Sequence, residues 1–165
     1  MHYLGREYMY YKRWNECIDT LIKHLNLKTA TWKDERCASM RFIARSYIAL
    51  NRFEEAKMWL DKAIIEAPYL REPYVERALL SYNLNNWKET IYYSKEALKI
   101  TTHPKSYINE SFCFDHTVYD LLAISNYYLE NYKEAILYST EALKISPNDE
   151  RLLKNHELYL KRETS

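Results

Sequence analysis

Between residues 37 and 68 the chain reads CASMRFIARSYIALNRFEEAKMWLDKAIIEAP, with large and small side chains where two antiparallel helices need them. Met40, Ile43 and Tyr47 recur at helical spacing in the first half, with Ala44 beside Ile43. Phe53, Ala56, Leu60 and Ala63 repeat the pattern in the second half, and Pro68 stops it. Apolar residues three and four apart make one stripe per helix. Alanines on that stripe let two helix axes approach, which larger side chains would prevent. Proline ends a helix because it lacks the N–H and its ring clashes with the preceding turn. The spacing predicts a helix–turn–helix hairpin with Phe53 buried in it.

Comparable patterns flank this hairpin. Residues 1–27 carry Leu4, Gly5 and Tyr8 on one helix and Trp14, Cys17 and Leu21 on the next. Gly5 is the single glycine of the chain, and a glycine inside a helix costs about 1 kcal/mol unless close packing needs it. A close helix approach is therefore expected there. Thr31 or Asp34 is placed to cap the helix that follows. Residues 71–100 form a third hairpin, with Tyr74, Ala78, Tyr82, Trp87, Thr90 and Ala97. Arg77 stands there in an apolar slot, so either its stem packs while its head reaches water or it pairs with a carboxylate. Residues 115–147 form a fourth, with Tyr119, Leu122, Ala123, Tyr132, Ala135, Tyr138 and Ala142. Residues 149–163 read as a terminal capping helix, started by Asn148 or Asp149.

Equivalent small-residue slots give the period. Cys17 to Ala56 is 39 residues, Ala56 to Thr90 is 34, and Thr90 to Ala135 is 45. The last interval holds an insert, residues 101–114, with the aromatics Tyr107, Phe112 and Phe114. Inserts in repeat arrays map to one face and often serve binding, although packing on a neighbouring helix is the favoured reading of these aromatics. The pattern resembles the tetratricopeptide repeat, W-x-x-L-G-x-x-Y…A-x-x-x-F…P with a 34-residue period. Met40 stands for its Trp, Ile43 for its Leu, Ala44 for its Gly and Leu60 for its Phe. That resemblance implies one all-α domain: a right-handed superhelical array of antiparallel hairpins, an α-solenoid of about four repeats plus the capping helix.

Composition narrows the function. One Gly and four Pro in 165 residues leave little turn chemistry for a multi-stranded sheet. A formal net charge of +1 provides no footprint for nucleic acid or an anionic membrane. No apolar run reaches the ~18–20 residues of a membrane span. Cys17, Cys37 and Cys113 are odd in number and far apart, which favours free thiols and a cytoplasmic location. Met1 runs directly into repeat pattern with no capping residue, so a start inside a longer chain is expected. No phosphate loop, H-E-x-x-H, C-x-x-C or G-x-S-x-G motif occurs, and no catalytic residue, cofactor or metal site is assigned. Cys113, Asp115 and His116, with His103, have the wrong spacing for zinc and read as a structural loop.

In such an array the first helix of each hairpin lines the concave groove. Residues there that stand off the packing stripe are Arg6, Tyr10, Arg41, Arg45, Glu72, Glu76, Asp120 and Tyr127. They are the candidate binding residues, in a groove basic at one end and acidic at the other, unless they are merely solvated ion pairs. Four phrases carry a narrower resemblance: WKDERCASMRFIARSY, REPYVERALLSY, HPKSY followed by DLLAISNYYLENYKEA, and PNDERLLKN. These resemble the tetratricopeptide region that follows the catalytic domain of bacterial family-2 glycosyltransferases. The resemblance implies a non-catalytic accessory module that positions a glycosyl acceptor, a protein or peptide partner, or a second subunit, and it leaves a homo-oligomer open. A free-standing protein–protein scaffold is the alternative reading.

Overall fold

The computed structural model describes residues 1–104, 106 and 108–165; Tyr107 of the insert lies outside them. Among the described residues the chain forms nine α-helices, one 3-10 turn and no strand. The all-α hairpins read from the sequence are what it builds. Contacts group it into two compact units, Met1–Glu76 and Arg77–Ser165.

The first unit contains α1 (His2–Tyr10), α2 (Trp14–Leu25), α3 (Lys33–Ala49) and α4 (Phe53–Glu66), then the opening of α5 (Glu72–Asn83). Gly5 on α1 is buried against Leu21 of α2. A Cβ at Gly5 would sit 2.2 Å from Leu21 Cδ2 and 2.4 Å from its Cγ, so glycine sets this close approach. Gly5→Leu is expected to cost about 1–3 kcal/mol by overpacking, read as a lower urea midpoint. Helix α3 is covered on most of its circumference, with nine residues from Cys37 to Ser46 buried. Phe53, by contrast, is only half-buried, because it opens α4 at the hairpin end. Its removal is therefore a smaller loss than full burial implied. The N-cap of α3 is Trp32, with no side-chain cap bond, rather than Thr31 or Asp34. Asp34 instead accepts a short hydrogen bond from the Tyr69 hydroxyl. Arg36 holds the connection before α3: its Nη1 donates to the carbonyls of Leu25 and Ala30, and its Nε to Glu66 at 2.6 Å.

The second unit contains the rest of α5, then α6 (Trp87–Leu98), the 3-10 turn Ser111–Cys113, α7 (Thr117–Tyr128), α8 (Tyr132–Ile145) and α9 (Glu150–Thr164). Asn86 caps α6 and Asp149 caps α9, each accepting a backbone N–H three residues on. Arg77 resolves to the carboxylate alternative. It is buried, donates to Ser81 Oγ at 2.7 Å, stands 3.4 Å from Glu89 and lies over the Tyr93 ring. In the insert Ile108 and Cys113 are buried and His103 stacks on Phe114 at 3.8 Å.

One turn recurs in all four hairpins. Lys12, Asn51, Asn85 and Glu130 have φ of 58° to 62°. The N–H of each following residue reaches back to a carbonyl near the helix end: Arg13 to Tyr8, Arg52 to Tyr47, Asn86 to Ser81, Asn131 to Asn126. This is the Schellman closure, in which a left-handed residue lets the chain satisfy the last helical carbonyls. The turns are spaced 39, 34 and 45 residues apart, matching the small-residue slots. Asparagine tolerates this conformation, whereas other L residues are disfavoured there by roughly 1–2 kcal/mol. Glu130→Gly should therefore raise stability by about 0.5–1 kcal/mol after the glycine's own entropy is counted, seen as an increase in Tm.

Candidate functional site

In the first unit the candidate groove charges meet one another. Glu76 accepts from Arg41 Nη1 at 2.7 Å and from Arg45 Nε at 2.5 Å. Arg41 is 2% exposed and Glu76 8%, and Glu72, one turn earlier on α5, is also buried. Both guanidinium groups also lie over the Phe42 ring. Burial pushes the Glu76 carboxyl up, but Arg45 and Arg41 outweigh it and hold the group below the usual carboxylate range. The expected split into a basic end and an acidic end is thus a compact ionic cluster that packs α5 against α3. On α1, the Arg6 guanidinium lies 5.1 Å from the Tyr3 ring and 5.8 Å from that of Tyr10, whose own side chain is exposed.

The second unit holds an open cleft of about 250 Å³. Tyr82 at the end of α5 and Ile124, Tyr127 and Tyr128 of α7 form one side. Arg151, Asn155, Leu158 and Tyr159 of α9 form the other. Those four follow helical spacing, so one stripe of α9 faces the space. The aromatic rings touch in series. Tyr82 meets Trp87 edge-on at 5.7 Å, Trp87 stacks on Tyr128 at 4.3 Å, Tyr128 meets Tyr127, and Tyr127 meets Tyr159 at 5.3 Å. Each such pair is worth about 0.5–1.5 kcal/mol beyond burial, which favours this arrangement of the rings. Arg151 Nη2 donates to Asp120 Oδ2 at 2.7 Å, which closes this cation of the cleft onto a carboxylate. Burial, then Asp120, push the Tyr82 phenol up, and Tyr159 is raised by burial in the same direction. Both therefore keep their protons and remain donors at neutral pH.

Of the candidates named from sequence, Tyr127 lines this cleft and Asp120 bonds its Arg151, while Arg41, Arg45 and Glu76 are bonded together in the other unit, where Glu72 is also buried. Tyr82, Arg151, Asn155 and Tyr159 were not among them. Tyr82 falls on the packing stripe of its helix, and the α9 residues belong to a helix read as a solvent-facing cap. The i, i+4, i+8 series Arg151, Asn155, Tyr159 was the available signal. The Cys113 cluster is accounted for by ordinary bonds. Cys113 is buried and in no disulfide, Asp115 accepts from the Thr117 N–H, and His116 bonds Ser146 Oγ at 2.8 Å. Among the described residues no group of three His, Cys, Asp or Glu side chains is placed to hold a metal ion, and no helix is long and apolar enough to cross a membrane.

The family model for the tetratricopeptide repeat matches residues 42–67 and 116–149, the second hairpin less most of its first helix and the fourth in full. The chain carries tetratricopeptide repeats at those places. Similar solved structures include MamA (MSR-1), 14% identical over 98% of this chain and 83% of that one, with a TM-score of 0.71. MamA (AMB-1) is 12% identical over 97% and 84%, with a TM-score of 0.67. TTC0263, a thermophilic TPR protein of Thermus thermophilus, is 18% identical over 96% and 79%, with a TM-score of 0.65. At these identities the likeness is one of fold. No curated protein sequence matches the chain.

Proposed function

We propose that this chain is a non-catalytic protein-interaction module and that the cleft between α7 and α9 seats a peptide segment of its partner. The observation that carries the reading is four tyrosines and a closed Arg151–Asp120 pair around about 250 Å³ of open space. Tyrosine anchors are over-represented at binding hot spots because they offer a large rigid apolar body with a polar tip. Helical-repeat arrays use their first-helix surfaces for binding, and α5, α7 and α9 supply this cleft. Tyr127 and Asp120 belong to the proposal directly, and Arg6 with Tyr10 forms a smaller second face. Arg41, Arg45, Glu72 and Glu76 are assigned to packing. The test is selection of a displayed peptide library on the protein, with counter-selection on a Tyr128→Ala, Arg151→Ala variant. Peptide families that bind the first and lose the second are the expected result; enrichment indifferent to the two substitutions overturns the assignment.

The four phrases quoted above favour a narrower reading as well: that the module serves a glycosyltransferase, positioning its acceptor, partner or second subunit. Deleting it from such a parent should change acceptor choice or assembly. A native reading frame with no transferase domain removes this reading and leaves the free-standing scaffold. A cytoplasmic location is part of the proposal, supported by Cys17, Cys37 and Cys113 standing in no disulfide.

A further inference from the structure

We infer that α1 is an acid-released latch: protonation of the paired imidazoles of His2 and His24 lifts this helix off α2 and α3 while the rest of the first unit stays folded. The buried residues of α1 are His2, Gly5 and Met9. Glycine has no side chain to bury, so Met9 and the His2 ring supply the buried side chains of the helix. At nine residues α1 is shorter than the ~12–15 that an isolated helix needs in water. Its first turn carries no acidic residue, and Met1 gives it no side-chain cap bond. It is helical because it is docked. By contrast, α3 buries nine residues, and α4 buries Ala56, Leu60 and Ala63.

Docking is concentrated at the His2 ring. It bonds Ser39 Oγ at 2.7 Å, stacks on Phe42 at 5.6 Å and faces the His24 ring at 5.7 Å. Both imidazoles are buried, and among the described residues neither Nε2 makes a hydrogen bond. A proton added to either ring therefore places a charge away from water and beside a second imidazole. Around the pair stand Arg6 of α1, the Met1 ammonium, and Glu35, Arg36 and Arg41 of α3. Arg36 and Arg41 bond Glu66 and Glu76. Of the groups that act on the two rings, Glu35 is the one that favours the proton, with Oε1 3.4 Å from His24 Nε2. Undocking α1 returns His2 to water and opens one side of His24 in the same motion, so a single local opening relieves both charges. It also uncovers Leu21 and Phe42, against which Gly5 and His2 lie, and removes the Arg6–Tyr10 face.

The test is hydrogen exchange of the whole chain, read by mass spectrometry at about pH 7 and about pH 5, corrected for intrinsic rates and repeated in sub-denaturing urea. Peptides covering α1 should lose protection about twentyfold between the two conditions, the ratio that His2 alone gives with a pKa of 6.5 when released and about 4 when docked. Their exchange should ignore urea, because a local opening exposes little surface, whereas α4 should exchange more slowly and respond to urea. His2→Asn should hold α1 nearly level with pH. Met9→Ala loosens the helix without touching a titrating group, so it should speed α1 exchange at both pH values and leave their ratio unchanged. Exchange of α1 that does not change with pH overturns the inference. An acid response that rises with urea as steeply as that of α4 also overturns it, since the opening is then global. A full acid response surviving in His2→Asn combined with His24→Gln does the same, because the protons then act elsewhere.

Discussion

Glu76→Ala is expected to destabilise the first unit by about 3–5 kcal/mol, the range for removing one partner from a buried ion pair. The carboxylate is the shared acceptor for Arg41, which is 2% exposed, and for Arg45. Without it two guanidinium groups stand together over Phe42 and lose the carboxylate they share. Arg45 can turn towards water, since its side chain is 30% exposed, so most of the loss falls on Arg41. Two further variants separate charge from shape. Glu76→Gln, which keeps the volume, should remain severely destabilised, whereas the joint change Arg41→Met with Glu76→Leu should recover much of the loss, because replacing both partners by apolar side chains strands neither charge of the pair. In a Trp87→Phe background the remaining tryptophans, Trp14, Trp32 and Trp59, all lie in the first unit. Their fluorescence through a urea titration reports that unit alone. An unchanged midpoint for Glu76→Ala would remove the cluster from any structural role.

That cluster also shows where sequence stops being readable. Helix identity and period were plain because small residues at helix crossings leave a regular trace: Cys17, Ala56, Thr90 and Ala135 keep the same intervals as the left-handed turn residues. The turns at Asn51 and Asn85 could be recognised from residue type; those at Lys12 and Glu130 could not, since packing of the paired helices imposes the conformation on whatever residue is there. Arg41 and Glu76 fall on the expected helices, yet standing off one packing stripe does not make a residue face solvent. In an array the first helix of a hairpin packs on both sides, and α3 has almost no free face. Reversing Arg41 and Arg45 to Glu would therefore gather carboxylates around Glu76 and test folding before it tested binding. The cleft was half legible for a related reason. Tyr127 stood out on α7, but Arg151, Asn155 and Tyr159 needed knowledge that the last helix turns a stripe inward.

Acidification is the second large expected effect, and it acts at a neighbour of the same Phe42 ring. His2 on α1 is 2% exposed, shares a 2.7 Å hydrogen bond with Ser39 Oγ on α3, stacks on Phe42 and lies 5.7 Å from the ring of His24 on α2. Burial lowers its pKa from 6.5 to about 4; Glu35 opposes the shift, while His24, Arg6 and Arg41 add to it. His24 is lowered too, by burial first, with Glu35 opposing from 3.4 Å. A histidine that must be neutral when folded binds its proton only in the unfolded chain between those two values. Stability is then fully present above pH 6.5 and falls as pH drops towards 4. At about 1.4 kcal/mol per tenfold in proton affinity, the loss from His2 is roughly 2–3 kcal/mol. The Glu76 carboxyl, held below its ordinary 4.5, contributes its own loss only at lower pH, so the two windows separate. Urea midpoints of the first unit at about pH 7, 5.5 and 4.5 should fall in sequence. His2→Asn, which can still bond Ser39 but does not titrate, should flatten most of that slope, and His24→Gln should remove more of it. A wild-type profile level between about pH 7 and 4.5 would mean that these rings do not have to stay neutral for α1 to pack on α3.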